Sequence, residues 1–195
     1  MPYTAEHKAR TRARIVESAR IMFNRHGFEQ VSIDQIMKQA GLTRGGFYNH
    51  FGSKDELYAE AVRSFISCNP FARQRAAAKG PAPSPAKLAR LLIELYLSDE
   101  VFGDIEQQCP LYALPSDVAR AGLQPRAAYT QLVQGMLHVF RAALPHGGKA
   151  AERKALLMVN LCVGGMVLAR TTHDPELSKS LRAAARGEAL ALLDD

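Results

Sequence analysis

Apolar residues recur at three- and four-residue spacing in stretch after stretch of this chain, and the pattern predicts an all-α protein. Ile15, Ala19, Met22 and Phe23 mark a first helix over residues 6–26, which Gly27 ends. Ile33, Ile36, Met37 and Ala40 mark a short second helix, and a third of about seven residues follows it closely. After Ser53 come Leu57, Ala61, Val62, Phe65 and Ile66, in a helix that the Asn69-Pro70 pair should break or bend. Residues 73–85 turn to Ala, Lys, Gly and Pro, and Pro81, Pro83 and Pro85 predict a loop there. Leu88, Leu91, Leu92 and Leu95 restore the helical period over 86–97, whereas 98–108 is acidic and irregular. Two long helices, 124–144 and 149–172, are expected next, the second apolar almost all round, with a last helix over 176–193.

The stretch 31–57, VSIDQIMKQAGLTRGGFYNHFGSKDEL, has the parts of a helix-turn-helix. Ser32 can cap its first helix while Gln35 bonds back, and Val31 can staple onto Ile36. Gly41 stands where a left-handed backbone is wanted after a helix end, and Leu42 plugs the corner. Thr43 is a suitable cap for the second helix. Its first turn, Arg44-Gly45-Gly46, is stripped of bulk, so that backbone and Arg44 can approach base edges and phosphates. Each glycine weakens so short a helix by about 1 kcal/mol relative to alanine, and close approach to another surface is a reason to carry that cost. Phe47 and Phe51, four apart, make the buried face and leave Tyr48, Asn49 and His50 outside. Ser53 and Glu56 form a second capping box, placing Lys54 at a helix amino end that suits a phosphate.

The run GLTRGGFYNHFGSKDEL, with the upstream helix containing Ile15, Ala19, Phe23 and Gly27, resembles the DNA-binding signature of the tetracycline-repressor (TetR) family over roughly the first 65 residues. The resemblance implies an all-α homodimer with a three-helix DNA-binding domain, residues 1–54, and a helical effector-binding and dimerisation domain, residues 55–195. It implies double-stranded operator DNA and a small-molecule effector as partners. By position, Arg44, Gly45 and Gly46 match the base-reading turn. Tyr48, His50 and Lys54 match phosphate contacts, and Ser32 and Thr43 at the two helix starts are placed with them. The Gly45-Gly46 pair departs from the single small residue more usual there.

Charge sharpens this picture. The net charge is +6, and through Lys54 nine lysines and arginines stand against four acids, while the rest of the chain holds sixteen against fifteen. A polyanion-binding end on a nearly neutral body has that distribution. Residues 1–11, with Lys8 and Arg10, read either as an arm along the DNA backbone or as a solvated terminus. Three cysteines at wide spacing fit neither a disulfide framework nor a zinc site. With no leader-like apolar run at the start, a reducing cytoplasm is the expected home. The apolar segment 155–169 is shorter than a membrane span, so no membrane partner is expected.

Catalytic, cofactor and metal sites are not expected. The chain shows no nucleophile with a matched base and no cofactor loop, and Asp99, Glu100, Asp104 and Glu106 read as a solvated bend rather than metal ligands. An effector pocket is expected from Phe65, Tyr96, Phe102, Cys109, Leu111, Tyr112, Met136 and Phe140. Cys109, just before Pro110, is either a thiol activated by a helix start, which makes the protein a redox- or electrophile-sensing repressor, or a packing residue. The two long helices are expected to form half of an intersubunit four-helix bundle through Leu132, Met136, Leu156, Asn160, Val163, Gly164 and Val167, with burial inside one subunit as the alternative. The function expected is a transcriptional repressor that binds a palindromic operator and is released by its effector. An architectural DNA-binding protein without effector, and an all-helical enzyme whose helix-turn-helix is only packing, are the rivals from other classes.

Overall fold

The computed structural model describes residues 4–77, 82–144 and 147–194, and the described residues are helical with no strand. Thr4 starts the first helix, α1 (Ala5–His26), accepting a hydrogen bond from the His7 N–H at 3.2 Å. Most of the expected N-terminal arm is therefore helix, and residues 1–3 lie outside the described residues. Gly27 ends α1 at φ 77°.

Helix α2 (Ile33–Gln39) has the full capping box: Gln35 N–H donates to Ser32 Oγ at 3.2 Å and Ser32 N–H to Gln35 Oε1 at 2.7 Å. It ends in a Schellman motif, with Leu42 N–H on the Met37 carbonyl at 2.8 Å and Gly41 N–H on the Lys38 carbonyl at 3.0 Å, Gly41 itself at φ 65°. The element that follows differs from expectation. Arg44–Asn49 is a six-residue 3-10 helix, tighter than an α-helix, and Thr43 makes no side-chain capping bond to it.

Helix α3 (Lys54–Cys68) starts at Ser53, whose hydroxyl accepts from Glu56 N–H at 3.1 Å. Glu56 reaches back one residue further than a capping box requires, to Gly52 N–H at 2.8 Å. Asn69 then both closes α3 and opens α4 (Pro70–Ala77): its amide donates to the Phe65 and Ile66 carbonyls, and its Oδ1 accepts from Ala72 N–H at 2.7 Å. Helix thus replaces the first part of the expected loop, because Pro70 is tolerated at a first helical position.

The same use of proline starts α5 (Pro85–Tyr96), α7 (Pro110–Ala113), α8 (Pro115–Arg120) and α11 (Pro175–Asp194). Between α5 and α7 the acidic stretch folds as α6 (Asp99–Gly103) and a 3-10 turn, Ile105–Gln107. The long helices are α9 (Leu123–Ala143) and α10 (Lys149–Thr171).

One continuous apolar core joins these parts. Helix α3 packs on α1 and on α9, and α9 lies between α3 and α5. One face of α9 is buried by these neighbours, and Leu132 and Met136 on it lie inside the subunit; this corrects their expected place at a dimer interface. The most extensive partner of α10 is α11 rather than α9. By length and mean hydropathy, 1.4, α10 could cross a membrane, contrary to the sequence estimate. One face of it, including Ala155, Met158, Cys162 and Met166, is instead buried in the body.

Gly165 sets the α10–α11 approach: a Cβ there would stand 2.6 Å from Ala185 Cβ. Gly135 in α9 has open space where its Cβ would be. Gly165→Ala is therefore expected to destabilise the fold by about 1–3 kcal/mol through overpacking, whereas Gly135→Ala gains up to about 1 kcal/mol of helix propensity. Urea denaturation of the two variants checks this; equal effects would contradict it.

Candidate nucleic-acid interface and internal pocket

The 3-10 helix is held from below. Phe47 and Phe51 are buried, their rings stacked 5.6 Å apart. Above them Tyr48 is 60% exposed, its ring edge-on to Phe47 at 5.2 Å. Arg44 is exposed and paired with Asp34 of α2 at 2.8 Å. Exposed pairs of this kind contribute about 0–1 kcal/mol, so Arg44 is released for another partner at little cost. Gly45 is exposed with nothing within 4 Å of a Cβ, and Gly46 would meet only Met37 Cε at 3.6 Å and Thr43 Oγ1 at 3.9 Å. The two glycines therefore leave the tip of the element open to solvent. Thr43 and Ser32 are exposed beside it, the Ser32 hydroxyl engaged with Gln35.

Two expected phosphate contacts are less free. The Lys54 ammonium donates to the Phe28 carbonyl at 2.5 Å and lies 4.1 Å over the Phe28 ring. It does not project from the start of α3, because a carbonyl in the turn after α1 and an aromatic face capture it first. Burial holds its pKa below the usual lysine value. His50 is half-buried, with Nδ1 buried and unpartnered. Burial, then the charges of Lys8 and Arg12, hold its pKa below the ordinary histidine value, favouring the neutral ring.

Arg12 is a residue that local sequence patterns do not disclose. From α1 it donates to the His50 carbonyl and to Glu60, pairs with Glu56 at 3.4 Å, and lies 4.0 Å over the Phe51 ring. It braces the end of the 3-10 helix against α1 and α3. Its partners are 38 to 48 residues away, beyond any spacing rule. Arg20, counted above with the basic surface, is internal at 2% exposure: it donates to Glu17, to the Glu106 carbonyl at 2.8 Å and to Gln107 Oε1 at 3.1 Å. Asn24, one turn on, donates to the Glu106 and Gln108 carbonyls at 3.1 and 3.0 Å. The acidic bend is consumed by arginines, Glu106 by Arg25 and Asp99 by Arg182. Among the described residues no group of three His, Cys, Asp or Glu side chains is placed to hold a metal ion.

A cavity of about 340 Å³ lies between α3, α4, α5 and α9. Of the residues expected to form an effector pocket, Phe65, Tyr96, Cys109, Leu111 and Met136 line this cavity, together with Leu132. Phe102, Tyr112 and Phe140 do not. Phe102 lies under the Arg182 guanidinium at 4.2 Å, Tyr112 packs edge-on behind Tyr96 at 5.5 Å, and Phe140 is wholly inside the core. Periodicity marked these aromatics as internal without saying on which side of the wall they stand. Sequence reasoning also missed the contribution of α4, where Phe71 and Arg75 line the opening, because that segment read as loop. Cys109 is buried, and burial pushes its thiol up to about 12, against weaker lowering by the Leu111 backbone and Tyr96. A four-residue helix does not offset that burial. The thiol is therefore kept protonated, and the activated sulfur considered from sequence is corrected to a wall of the cavity.

An exposed, aromatic-anchored 3-10 helix on a small helical head, joined to a helical body with a partly open cavity, defines a helix-turn-helix protein. Residues 15–61 match the family described as bacterial regulatory proteins, tetR family. Among curated relatives, the HTH-type transcriptional regulator YfiR of Bacillus subtilis is 34% identical over 61 residues, 31% of this chain and 30% of its own length. The HTH-type transcriptional repressor KstR2 of Mycobacterium tuberculosis is 28% identical over 120 residues, 62% of this chain and 57% of its own. The matches thus span about a third to little more than half of these relatives. Whole-chain likeness comes from solved structures. A TetR transcriptional regulator from Chloroflexus aurantiacus superposes with a TM-score of 0.75 at 20% identity, covering 97% of both chains. Reduced NemR of Escherichia coli does so with 0.74 at 16%, covering 92% of this chain and 95% of that one. Residues 15–61 thus match the tetR-family domain, and the chain as a whole has the fold of these TetR-family structures.

Cys109 and Cys162 both have thiols pushed up to about 12 by burial, from an ordinary 9.0. The folded state therefore holds protons that the unfolded chain releases above pH 9, and stability present below pH 9 is lost as pH rises towards 12. A urea midpoint that falls steadily between pH 8.5 and 10.5 is expected; a flat profile would contradict it.

Proposed function

We propose that this protein is a DNA-binding transcriptional regulator, a repressor that works in the cytoplasm, binds a two-fold operator as a homodimer and is released by a small molecule in the cavity. The reading divides the chain into a DNA reader, residues 1–54, and a regulatory body, residues 55–195. The observation that carries it is the exposed edge of the 3-10 helix, Arg44 and Tyr48 over buried Phe47 and Phe51. A regulator's reading element enters the major groove with side chains from its first turn on base edges. Arg44 is the base-reading side chain, with guanine its best partner. Tyr48, Thr43 and Ser32 take phosphates, His50 adds one neutral donor, and Lys54 joins only if it leaves Phe28. Relatives described as repressors support the sign of regulation.

The homodimer is supported by an outward apolar face on α10 and α11. Leu156, Leu157 and Leu168 of α10 and Leu177 of α11 are exposed. Asn160, Gly164 and Val167 share that side of α10, with Val163 at its edge. The four-helix interface is thus proposed from α10 and α11, in place of α9 and α10. A body with a cavity of about 340 Å³ favours the effector reading over an architectural DNA binder.

Titrating the protein against the DNA upstream of its own gene and against scrambled DNA, by fluorescence anisotropy, tests the reading. Arg44→Ala is expected to lose about 1–3 kcal/mol of preference for the specific duplex while binding the scrambled one nearly as before. Unaltered preference would remove Arg44 from the interface.

A further inference from the structure

Helix α1 ends by separating two groups that would bond each other in a longer helix. The Phe28 N–H would then donate to the Asn24 carbonyl, four residues back. Gly27, at φ 77°, turns the chain away and the two groups part. Each is taken instead by a charged side chain of the body. Arg170, in the last turn of α10, donates from Nη2 to the Asn24 carbonyl at 3.3 Å. Asp117 of α8 accepts from the Phe28 N–H at 3.0 Å. A cation thus holds the carbonyl end of α1, as the helix dipole favours, and an anion holds the first amide beyond it.

Arg170 is costly where it stands. It is half-buried, its Nη1 is buried without a hydrogen-bond partner, and among the described residues no carboxylate pairs with it, Asp117 being paired with Arg120 at 2.9 Å. Burial holds its pKa below the usual arginine value, against a weaker opposite effect of Tyr112. A guanidinium so placed, with no acid to compensate it, is destabilising relative to an apolar side chain of similar length. Stability alone therefore does not account for it, whereas a fixed geometry at the Asn24 carbonyl does. The other half of the arrangement is equally close-fitting. A Cβ on Gly27 would lie 3.1 Å from Asp117 Oδ2, so the turn is built around that carboxylate.

The helix that supplies Arg170 also carries Leu156, Leu157 and Leu168, the outward apolar face assigned above to the dimer. One rigid element therefore connects that face to the end of α1, without passing through α3 or the cavity. We propose that Arg170, with Asp117 opposite it, is a positioning residue that clamps the DNA-reading head to α10 at a fixed angle and so sets the half-site separation that the dimer accepts. This rests on the two-fold operator reading above. The clamp contacts no base or phosphate itself; it acts on span. One base pair inserted between half-sites displaces the far one by about 3.4 Å and turns it by roughly 35°. A clamped head does not follow that change, and a released one does.

Fluorescence anisotropy of the full chain tests the clamp on duplexes of equal length: the operator located by footprinting, the same site with one or two base pairs inserted at its centre, and a single half-site. The wild type is expected to bind the native spacing at least about tenfold more tightly than either lengthened site. Arg170→Leu, folded by circular dichroism and dimeric by gel filtration, should cut that ratio to about threefold or less and leave the half-site affinity within about twofold. Arg170→Lys keeps a donor for the Asn24 carbonyl and should retain the ratio, and Asp117→Ala should reduce it. A wild-type ratio in Arg170→Leu, or an equal weakening on every duplex, would overturn the clamp while leaving the operator reading intact. If Arg170→Leu does not fold, Asp117→Ala is judged by the same criterion. If the wild type itself is indifferent to spacing, the two-fold operator reading falls and the clamp with it.

Discussion

Six residues in a 3-10 turn, two of them glycine, have no stability of their own. The element exists because Phe47 and Phe51 are withdrawn from water beneath it, and burying two such rings contributes several kcal/mol, about 1.5–3 for each. That burial fixes which side chains face outward: with Phe47 inward, Arg44, Tyr48 and Asn49 are exposed. The Schellman turn at Gly41 and the Arg12 brace hold the two ends of the element in the same orientation. The proposed reading of DNA depends on this anchoring, because an element able to roll would present no constant surface to a groove.

The head and the cavity are parts of one packed object. Helix α3 carries Tyr58, wholly buried against Phe23 and Phe28 in the head, and two turns later Phe65, a wall of the cavity. A second connection runs outside the apolar core. Arg20 and Asn24 of α1 hold the carbonyls of Glu106 and Gln108, and the next residue, Cys109, lines the cavity. Both connections run through largely buried groups, so movement of the cavity wall carries an energetic consequence in α1 and α3. This gives a physical basis for the proposed release of DNA by a bound molecule.

Much of this was legible in the chain because the signals are local. Ser32 with Gln35, Gly41 before Leu42, and Phe47 four before Phe51 each state their geometry within a turn or two. The long helices were visible for the same reason. What could not be seen depends on distant partners. Lys54 looked free at a helix start, yet its charge is taken by Phe28, 26 residues earlier. For Cys109 the sequence left an activated and a packing thiol open, and tertiary burial, which outweighs the short helix behind it, decides between them. Leu132 and Met136 looked like dimer residues because an apolar stripe does not disclose whether its cover belongs to the same subunit. Helix α4 was missed because a proline-rich composition masks the fact that proline is acceptable at the first position of a helix.

Hydroxyl-radical footprinting on the DNA upstream of the gene for this protein tests the central claim most directly. A pair of dyad-related 3-10 helices in successive major grooves predicts two protected segments, their centres about one helical turn, or roughly 34 Å, apart or a multiple of that, with both protections lost together as the protein is diluted. A single protected segment, protection independent of sequence, or protection that survives replacement of both Arg44 and Tyr48 by alanine would contradict it.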